Sequence, residues 1–160
     1  MMDAGFLADF RHTVDTAAAS LLALSPERAA VRPAPGKWSP KEIVGHLIDS
    51  ASNNHGRFVR AQLQDDLRFD GYEQAEWVTV QRYQEREWVD LIALWQALNH
   101  HIAHVMATAD PQALVRPRAR HNLDSLAWQP VRAEQPATLE YFMRDYVGHL
   151  KHHLRQVFPA

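Results

Sequence analysis

Histidine is the chemically versatile residue type that stands out in this sequence, with ten copies in 160 residues. Two pairs, His100/His104 and His149/His153, have a spacing of four residues, which places both imidazoles on one face of an α-helix. That spacing suits two ligands of one metal ion. Because a catalytic zinc site needs about three protein ligands and an open position, another segment must supply the third ligand.

Helical geometry separates the two pairs. His100 and His104 lie about 155° and 165° from the centre of the apolar stripe of their segment, which predicts a solvent-exposed face. In the last segment, His153 lies about 55° and His149 about 95° from the apolar centre, at the inner edge of the helix. His152 lies about 155° away, so we expect it to face water. The sequence thus favours His149 and His153 as ligands and the other three as bystanders.

A third ligand is harder to choose from spacing. His46 shares a polar stripe with Asn53 and Arg57, all within about 20° of one direction. That stripe lies about 120° from the apolar centre of its segment, so periodicity alone favours an exposed position for His46. The lone residues His12 and His121, like His55, have no stronger claim. Spacing therefore leaves the third ligand open.

Four amphipathic segments are expected to form the helices that position these residues. Apolar residues recur in each at intervals of three and four, which is typical of helices with one buried stripe. The clearest start is Ser39-Pro40-Lys41-Glu42, which has the pattern of a capping box with proline at the first helical position. The predicted helices run approximately over residues 3–24, 40–63, 84–109 and 138–158, the last with Thr138 as its N-cap.

The connections between these helices indicate a bundle that is not a simple up-and-down one. About twenty residues join the second and third helices, and about twenty-five join the third and fourth, which exceeds the usual short loops. Residues 111–136 contain four prolines and are compatible with either a short strand or a helical turn. We predict a single all-α domain over residues 1–160, a four-helix bundle with long crossover connections.

Composition excludes several classes of protein. The 17 Lys and Arg residues against 19 Asp and Glu residues leave no basic excess, so we expect no nucleic-acid partner. Cysteine is absent, which excludes disulfides and a cysteine nucleophile. The N-terminus lacks the charged and apolar regions of a signal peptide, and no apolar run has membrane-spanning length. We expect a cytoplasmic protein with no membrane partner.

Three segments resemble the DinB/YfiT-like family. The stretch from Trp38 to Ser50, WSPKEIVGHLIDS, resembles the start of the second helix in that family. Residues 70–77, DGYEQAEW, together with Tyr83, are similar to its mid-chain segment. Residues 138–157, which include YVGHLKHHLRQV, are similar to its last helix.

The resemblance implies a four-helix bundle that holds one divalent metal ion on His46, His149 and His153, with the site open to solvent. It also implies a homodimer. Zinc and nickel both suit imidazole ligands, so the sequence does not choose between them. Some members of the family are thiol-dependent S-transferases, others are isomerases, and many have no known activity.

Two further residues are candidates at such a site. Asp145 precedes His149 by four residues, so its carboxylate could accept the proton of the second imidazole nitrogen, although a solvated helix residue is the simpler alternative. Arg57 could bind a carboxylate of the substrate or merely pair with an acidic neighbour. Trp38 and Trp128 fit either a pocket wall or the core.

Three functions remain compatible with these residues. A metal ion on neutral imidazoles keeps its charge and can deprotonate a thiol, which must be a cosubstrate because the chain has no cysteine. The favoured hypothesis is therefore a metal-dependent S-transferase that joins a small-molecule thiol to a small electrophile. The same ion could activate water, which would make the protein a metal-dependent hydrolase. The third possibility is a non-catalytic, stress-associated metal-binding protein.

Overall fold

The computed structural model describes residues 1–159, and four long helices in it form a bundle; Ala160, the last residue of the predicted domain, lies outside the described residues. This confirms the predicted all-α architecture. In chain order the elements are α1 (Ala4–Leu22), α2 (Pro26–Ala29), α3 (Pro40–Leu63), α4 (Gln74–Gln81), a 3₁₀ turn (Tyr83–Glu85), α5 (Trp88–Thr108), α6 (Pro111–Val115), α7 (Leu123–Leu126) and α8 (Leu139–Val157).

The bundle does not place its helices in chain order. α5 packs between α1 and α3, and α8 also contacts both of them, so α1 and α3 lie on opposite corners. The chain must therefore cross the bundle between α1 and α3, and again between α5 and α8. This arrangement accounts for the long connections and puts α3 beside α8. None of the helices in the described residues combines the length and apolar character needed to cross a membrane.

Side-chain caps set the start of both helices that carry candidate ligands. The Ser39 hydroxyl accepts a hydrogen bond from the Glu42 amide at 3.2 Å, and the Glu42 carboxylate accepts one from the Ser39 amide at 2.9 Å. The hydroxyl of Thr138 accepts a hydrogen bond from the Tyr141 amide at 3.1 Å. Both predicted caps are confirmed, and such a cap contributes about 1 kcal/mol.

The helix expected to begin near Gln84 begins four residues later, at Trp88. The Gln84 side chain is held by contacts distant in sequence, because its amide donates to the carbonyl of Ala30 at 3.0 Å and its oxygen accepts from the Ser39 hydroxyl at 3.0 Å. These contacts hold residues 83–85 as a 3₁₀ turn against the start of α3. Tertiary contacts therefore override the local helical pattern there.

Residues 111–136 combine the two expected alternatives. Helical turns occur as α6 and α7. Two isolated β-bridges, Leu67 with His121 and Arg118 with Ala137, tie the remainder to the connection after α3 and to the residues before α8. This connection consequently lies close to the paired helices α3 and α8.

The first half of α3 is buried on all sides. Every residue from Lys41 to Ala51 is buried, including polar ones, because α5 and α8 cover one part of the helix and α4 with the 3₁₀ turn covers another. The aromatic core continues along the second half of α3, where Phe58 makes edge-to-face contacts with Phe142 and Tyr146 of α8. The candidate ligand on α3 therefore lies inside the protein.

Candidate metal centre

Three histidines from two helices meet at one point. His46 of α3 and His149 and His153 of α8 each offer a ring nitrogen, and these three atoms lie within 4.8 Å of one another. The Nε2 atoms of His46 and His149 are 3.3 Å apart. The ring centroid of His153 lies 4.6 Å from that of His46 and 4.5 Å from that of His149. The tertiary structure thus assembles the three residues predicted as ligands.

The distance between the His46 and His149 nitrogens, 3.3 Å, fits two ligands of a tetrahedral ion. Two imidazole nitrogens bound to zinc at about 2.0–2.1 Å with tetrahedral angles lie about 3.3 Å apart. His153 is prepared for such a role, since its Nδ1 lies 2.8 Å from the Gln156 side-chain oxygen. A proton on Nδ1, donated to that oxygen, leaves Nε2 as the free donor to the metal. The residues present therefore fit a divalent metal ion.

Burial keeps the three imidazoles neutral. Burial, with a smaller contribution from the charge of neighbouring histidines, lowers the pKa of His46 to about 4 and the pKa of His149 to about 3. The pKa of His153 is also lowered, again mainly by burial. Near neutral pH the rings are therefore unprotonated, which a metal ligand requires. His46 also has a fully buried Nδ1 with no hydrogen-bond partner in residues 1–159.

A cavity of about 680 Å³ opens beside the three histidines, between α3, α8 and the two long connections. His149 and His153 lie on its wall, while His46 lies behind them. Trp128 also lines the cavity and packs closely on Gly148, where an added Cβ would lie 3.0 Å from the indole ring. A ligand of the size of a short peptide would fit this space.

The other tryptophan considered for the pocket packs against the histidine triad. The Trp38 ring lies 5.1 Å from the His46 ring, at an interplanar angle of 35°. It precedes the N-cap of α3 and is half-buried. Trp38 therefore shields the buried side of the triad, whereas Trp128 forms part of the cavity wall.

Asp145 has hydrogen-bond partners other than the predicted one. Its two carboxylate oxygens accept hydrogen bonds from the backbone amides of Trp128 and Gln129, each at 2.8 Å. Within residues 1–159, none of its hydrogen bonds goes to His149. Burial raises the pKa of Asp145, and the two amides oppose that shift. The carboxylate thus anchors the Trp128 loop to α8.

Arg57 lines the same cavity and is 5% exposed. Its guanidinium donates to the Asn54 side-chain oxygen at 3.3 Å and to the Asp70 carbonyl at 2.6 Å. It lies 5.9 Å from the centre of the Tyr72 ring. The simpler of the two sequence interpretations, an ion pair with an acidic neighbour, does not occur in the described residues.

The remaining histidines lie apart from the triad or beside it without joining it. His100 binds the Asp15 carboxylate at 2.7 Å on the far side of the bundle, and His104 is exposed. His152 was expected to face water, but this is wrong: it is half-buried, lines the cavity and lies 5.4 Å from the Trp128 ring. The loop that carries Trp128 covers the face of α8 that periodicity assigns to solvent.

Sequence reasoning missed a buried polar cluster beside His46. Asp49, three residues after His46 on α3, is 2% exposed. Its Oδ1 accepts hydrogen bonds from the Tyr83 hydroxyl at 2.6 Å and from the Gln81 amide at 2.7 Å. Burial raises the pKa of Asp49 and also that of Tyr83. No local signal links these residues, since α4 and the 3₁₀ turn bring them together.

Comparison with known proteins agrees with this geometry. A sequence model described as the DinB superfamily matches residues 9–157. No curated protein matches the sequence significantly. Among solved structures, the chain is similar to YfiT from Bacillus subtilis, described as a probable metal-dependent hydrolase with an unusual four-helix bundle topology. That similarity has a TM-score of 0.73 at 18% identity and covers 98% of this chain and 86% of the other, which confirms the predicted fold.

Proposed function

The chain belongs to the DinB superfamily, and on that premise we propose that it is a metal-dependent S-transferase. One divalent ion, zinc or nickel, would be held by His46, His149 and His153. The substrates would be a small-molecule thiol and a small electrophile. The observation that carries this proposal is the convergence of three ring nitrogens within 4.8 Å, with two of the three histidines on the wall of a cavity.

The donor set determines what the site can do. Three neutral imidazoles leave a bound divalent ion its full charge, which favours a thiolate or another anion in an open position. The chain has no cysteine, so the sulfur must come from a bound molecule. The cavity of about 680 Å³ has room for it, and His149 and His153 face that space.

The carboxylates near the triad favour a thiol over water as the nucleophile. Activation of water is helped by a general base with a free oxygen within hydrogen-bond reach. Both oxygens of Asp145 already accept backbone hydrogen bonds. Asp49 is held through Oδ1 by Tyr83 and Gln81; its buried Oδ2 has no hydrogen-bond partner in residues 1–159, but Asp49 does not line the cavity. Glu73 lines the cavity as an exposed residue outside the group of converging nitrogens. A thiol needs less help, because its pKa is about 8.5 before it binds a metal.

The second candidate is a metal-dependent hydrolase. It is favoured by the fold shared with YfiT from Bacillus subtilis, which is described as a probable metal-dependent hydrolase. The donor set is compatible with both reactions, so turnover experiments must separate them. A protein that binds metal without turnover on either substrate class would be the third possibility.

Turnover experiments test the proposal. Metal-loaded protein is incubated with a chloro-nitrobenzene electrophile, alone and together with each common bacterial thiol in turn. Loss of the electrophile should require both the thiol and the metal. It should disappear in His149→Ala and persist in His104→Ala, since His104 is an exposed residue on α5. Hydrolysis of esters or amides with no effect of thiol would establish the hydrolase. Stoichiometric metal with no turnover on either panel would leave a non-catalytic metal-binding protein.

A further inference from the structure

Arg57 is a buried cation without a paired anion. It is 5% exposed, and within residues 1–159 no carboxylate lies at salt-bridge distance from its guanidinium. Its hydrogen-bond acceptors are neutral, the Asn54 amide oxygen and the Asp70 carbonyl. A buried charge is costly unless it is paired. This arrangement is typical of a residue whose partner is an anionic ligand.

The neighbours of Arg57 hold it in place. The Asp70 carbonyl and the Asn54 side chain each take one N–H group, and the Tyr72 ring lies 5.9 Å from the guanidinium carbon. Further N–H groups of the planar guanidinium remain for a ligand. A guanidinium held in this way presents parallel donors that match the two oxygens of a carboxylate.

The cavity indicates which anion would bind. Among the residues of the described chain that line it, Arg57 is the one arginine or lysine. The lining also contains the carboxylates of Glu73 and Asp145, so the single guanidinium leaves no excess of positive charge. That balance disfavours a doubly charged phosphate and leaves a singly charged carboxylate as the better partner for Arg57. The polar lining also includes Asn54, Asn122 and Gln74, which can bind neutral groups of the same ligand.

The distance between Arg57 and the triad indicates the length of the ligand. Arg57 follows His46 by eleven residues on α3, a rise of about 16 Å between their Cα atoms. Side chains on a helix lean toward its N-terminus, which shortens the gap from the guanidinium to the three nitrogens. A ligand that reaches both must still carry its two functional groups several bonds apart.

We propose that Arg57 is the carboxylate-binding residue of the cavity, so that the thiol cosubstrate carries a carboxylate at the end far from its sulfur. This inference rests on the proposed function for one point, that the group of the ligand nearest the triad is a thiol. The carboxylate end depends on Arg57 alone. The two ends can therefore be tested separately.

The test measures calorimetric binding to the full-length chain, both metal-loaded and stripped with chelator. The probes are 3-mercaptopropionate and 6-mercaptohexanoate, each compared with the corresponding mercapto-alcohol. With the longer pair, wild type should bind the carboxylate at least about tenfold more tightly than the alcohol. With metal bound, the preference for the carboxylate over the alcohol should be larger in the longer pair than in the shorter pair. In the metal-free protein the preference should persist.

Variants of two arginines on the same helix identify the residue responsible. Arg57→Gln should abolish the preference for carboxylate, and Arg57→Lys should retain part of it, because it keeps the charge but loses the planar donor pair. Arg60→Gln is the matched control, since Arg60 is an exposed cation one turn away, and it should behave as wild type. Circular dichroism checks that each variant is folded.

Three results would overturn the proposal: equal affinity of wild type for the carboxylate and the alcohol, no binding of either at millimolar concentration, or a preference that survives in Arg57→Gln. If Arg57→Gln does not fold, wild type, Arg57→Lys and Arg60→Gln decide the question. Failure of the metal site alone would look different. The chain would then bind no metal, while the carboxylate preference of the stripped protein would remain.

Discussion

The Nε2 atoms of His46 and His149 lie 3.3 Å apart, although the two residues are separated by 103 positions in the chain. The first is on α3 and the second on α8, helices that are adjacent only because the chain crosses the bundle. A metal ion bound there would connect the two helices directly. Metal binding would therefore stabilise the folded chain, since the unfolded chain does not hold the three nitrogens together.

Loss of any one triad histidine should remove most of the bound metal. Wild type is expected to carry close to one divalent ion per chain, and His46→Ala, His149→Ala and His153→Ala should each lose most of it, because three protein ligands are about the minimum for such a site. Elemental analysis of the purified proteins measures this. Wild type should also gain about 2.7 kcal/mol of stability at free metal one hundred times its Kd.

The control for this prediction is a variant with His100, His104 and His152 replaced by alanine. His100 binds Asp15, His104 is exposed, and His152 lies beside the triad outside the group of converging nitrogens. Metal content should be unchanged. Equal metal content in wild type and in all three triad variants would show that the ion, if any, binds elsewhere.

The metal-free protein should lose stability as the pH falls from about 6.5 toward 4. Burial lowers the pKa of His46 to about 4 and of His149 to about 3, whereas both titrate near 6.5 in the unfolded chain. In that window the unfolded state binds protons that the folded state excludes, so acidification favours unfolding. Each histidine contributes up to about 1.4 kcal/mol per pH unit.

Urea unfolding at pH 7, 6 and 5 measures this dependence. His149→Gln cannot be protonated, so the free energy of unfolding of that variant should fall less steeply with decreasing pH. Comparing the two slopes removes the contribution of carboxylates, such as Asp49, that are present in both proteins. Parallel slopes for wild type and His149→Gln would contradict the prediction.

Replacing Asp145 should loosen the cavity wall and leave the metal in place. Its carboxylate binds the amides of Trp128 and Gln129, so Asp145→Ala should release that loop. Amide hydrogen exchange in residues 127–129 should rise, while metal content stays close to that of wild type. Asp145→Asn keeps one acceptor oxygen and should give an intermediate result. Loss of metal in Asp145→Ala without faster exchange would instead support a direct role beside His149.

Two glycines on α3 should respond in opposite directions to alanine. A Cβ at Gly45 would overlap the Tyr83 ring, so Gly45→Ala should displace that ring and disrupt the hydrogen bond from the Tyr83 hydroxyl to Asp49. A loss of about 1–3 kcal/mol is expected. At Gly56 the nearest atom is the flexible end of Arg60, at 3.1 Å, so Gly56→Ala should gain up to about 1 kcal/mol from helix propensity.

Thermal and urea unfolding of the two glycine variants provide the measurement. Both substitutions replace glycine by alanine in α3, so the gain from helix propensity is matched. The difference between the two free energies of unfolding therefore measures the effect of the contact with Tyr83. Similar stabilities for Gly45→Ala and Gly56→Ala would mean that Tyr83 does not pack closely on α3 in solution.

A homodimer, implied by the family resemblance, remains a prediction. Large apolar side chains stay exposed in the described residues, among them Val80 at 76% and Leu63 at 83%. Burial of such residues against a second copy would contribute about 25 cal/mol for each Å² removed from water. Light scattering at micromolar concentration should give twice the mass of the chain, and a monomer mass throughout would refute the prediction.

Much of the local structure could be predicted because its signals are local. The capping box at Ser39 and the N-cap at Thr138 depend on residues three positions apart, and both helices begin where they were expected. The start of the helix that carries Trp88 was placed four residues too early. Gln84 has a helical pattern in sequence, but its side chain binds Ala30 and Ser39. Contacts of that range cannot be inferred from periodicity.

The candidate site also has one part that local sequence predicts and one part that it does not. The spacing of His149 and His153, and their position at the inner edge of one helix, follow from the sequence of α8 alone. The burial of His46 does not follow from the sequence. The periodicity argument assumes that a helix has one buried face, and it therefore predicted that His46 is exposed. In the structure α3 is covered on all sides near His46 by α5, α8, α4 and the 3₁₀ turn. Only the family resemblance pointed to His46 in advance.

The amino-acid sequence alone determined the helical class, the caps of the ligand-bearing helices and the pair of histidines on α8, because these depend on residues within about one helical turn of one another. The tertiary structure decided which distant segment meets that pair, which partner Asp145 takes and that Arg57 is buried without an anion. Those properties depend on how the crossing connections pack over α3 and α8. Packing of that kind is set by contacts between residues far apart in the chain.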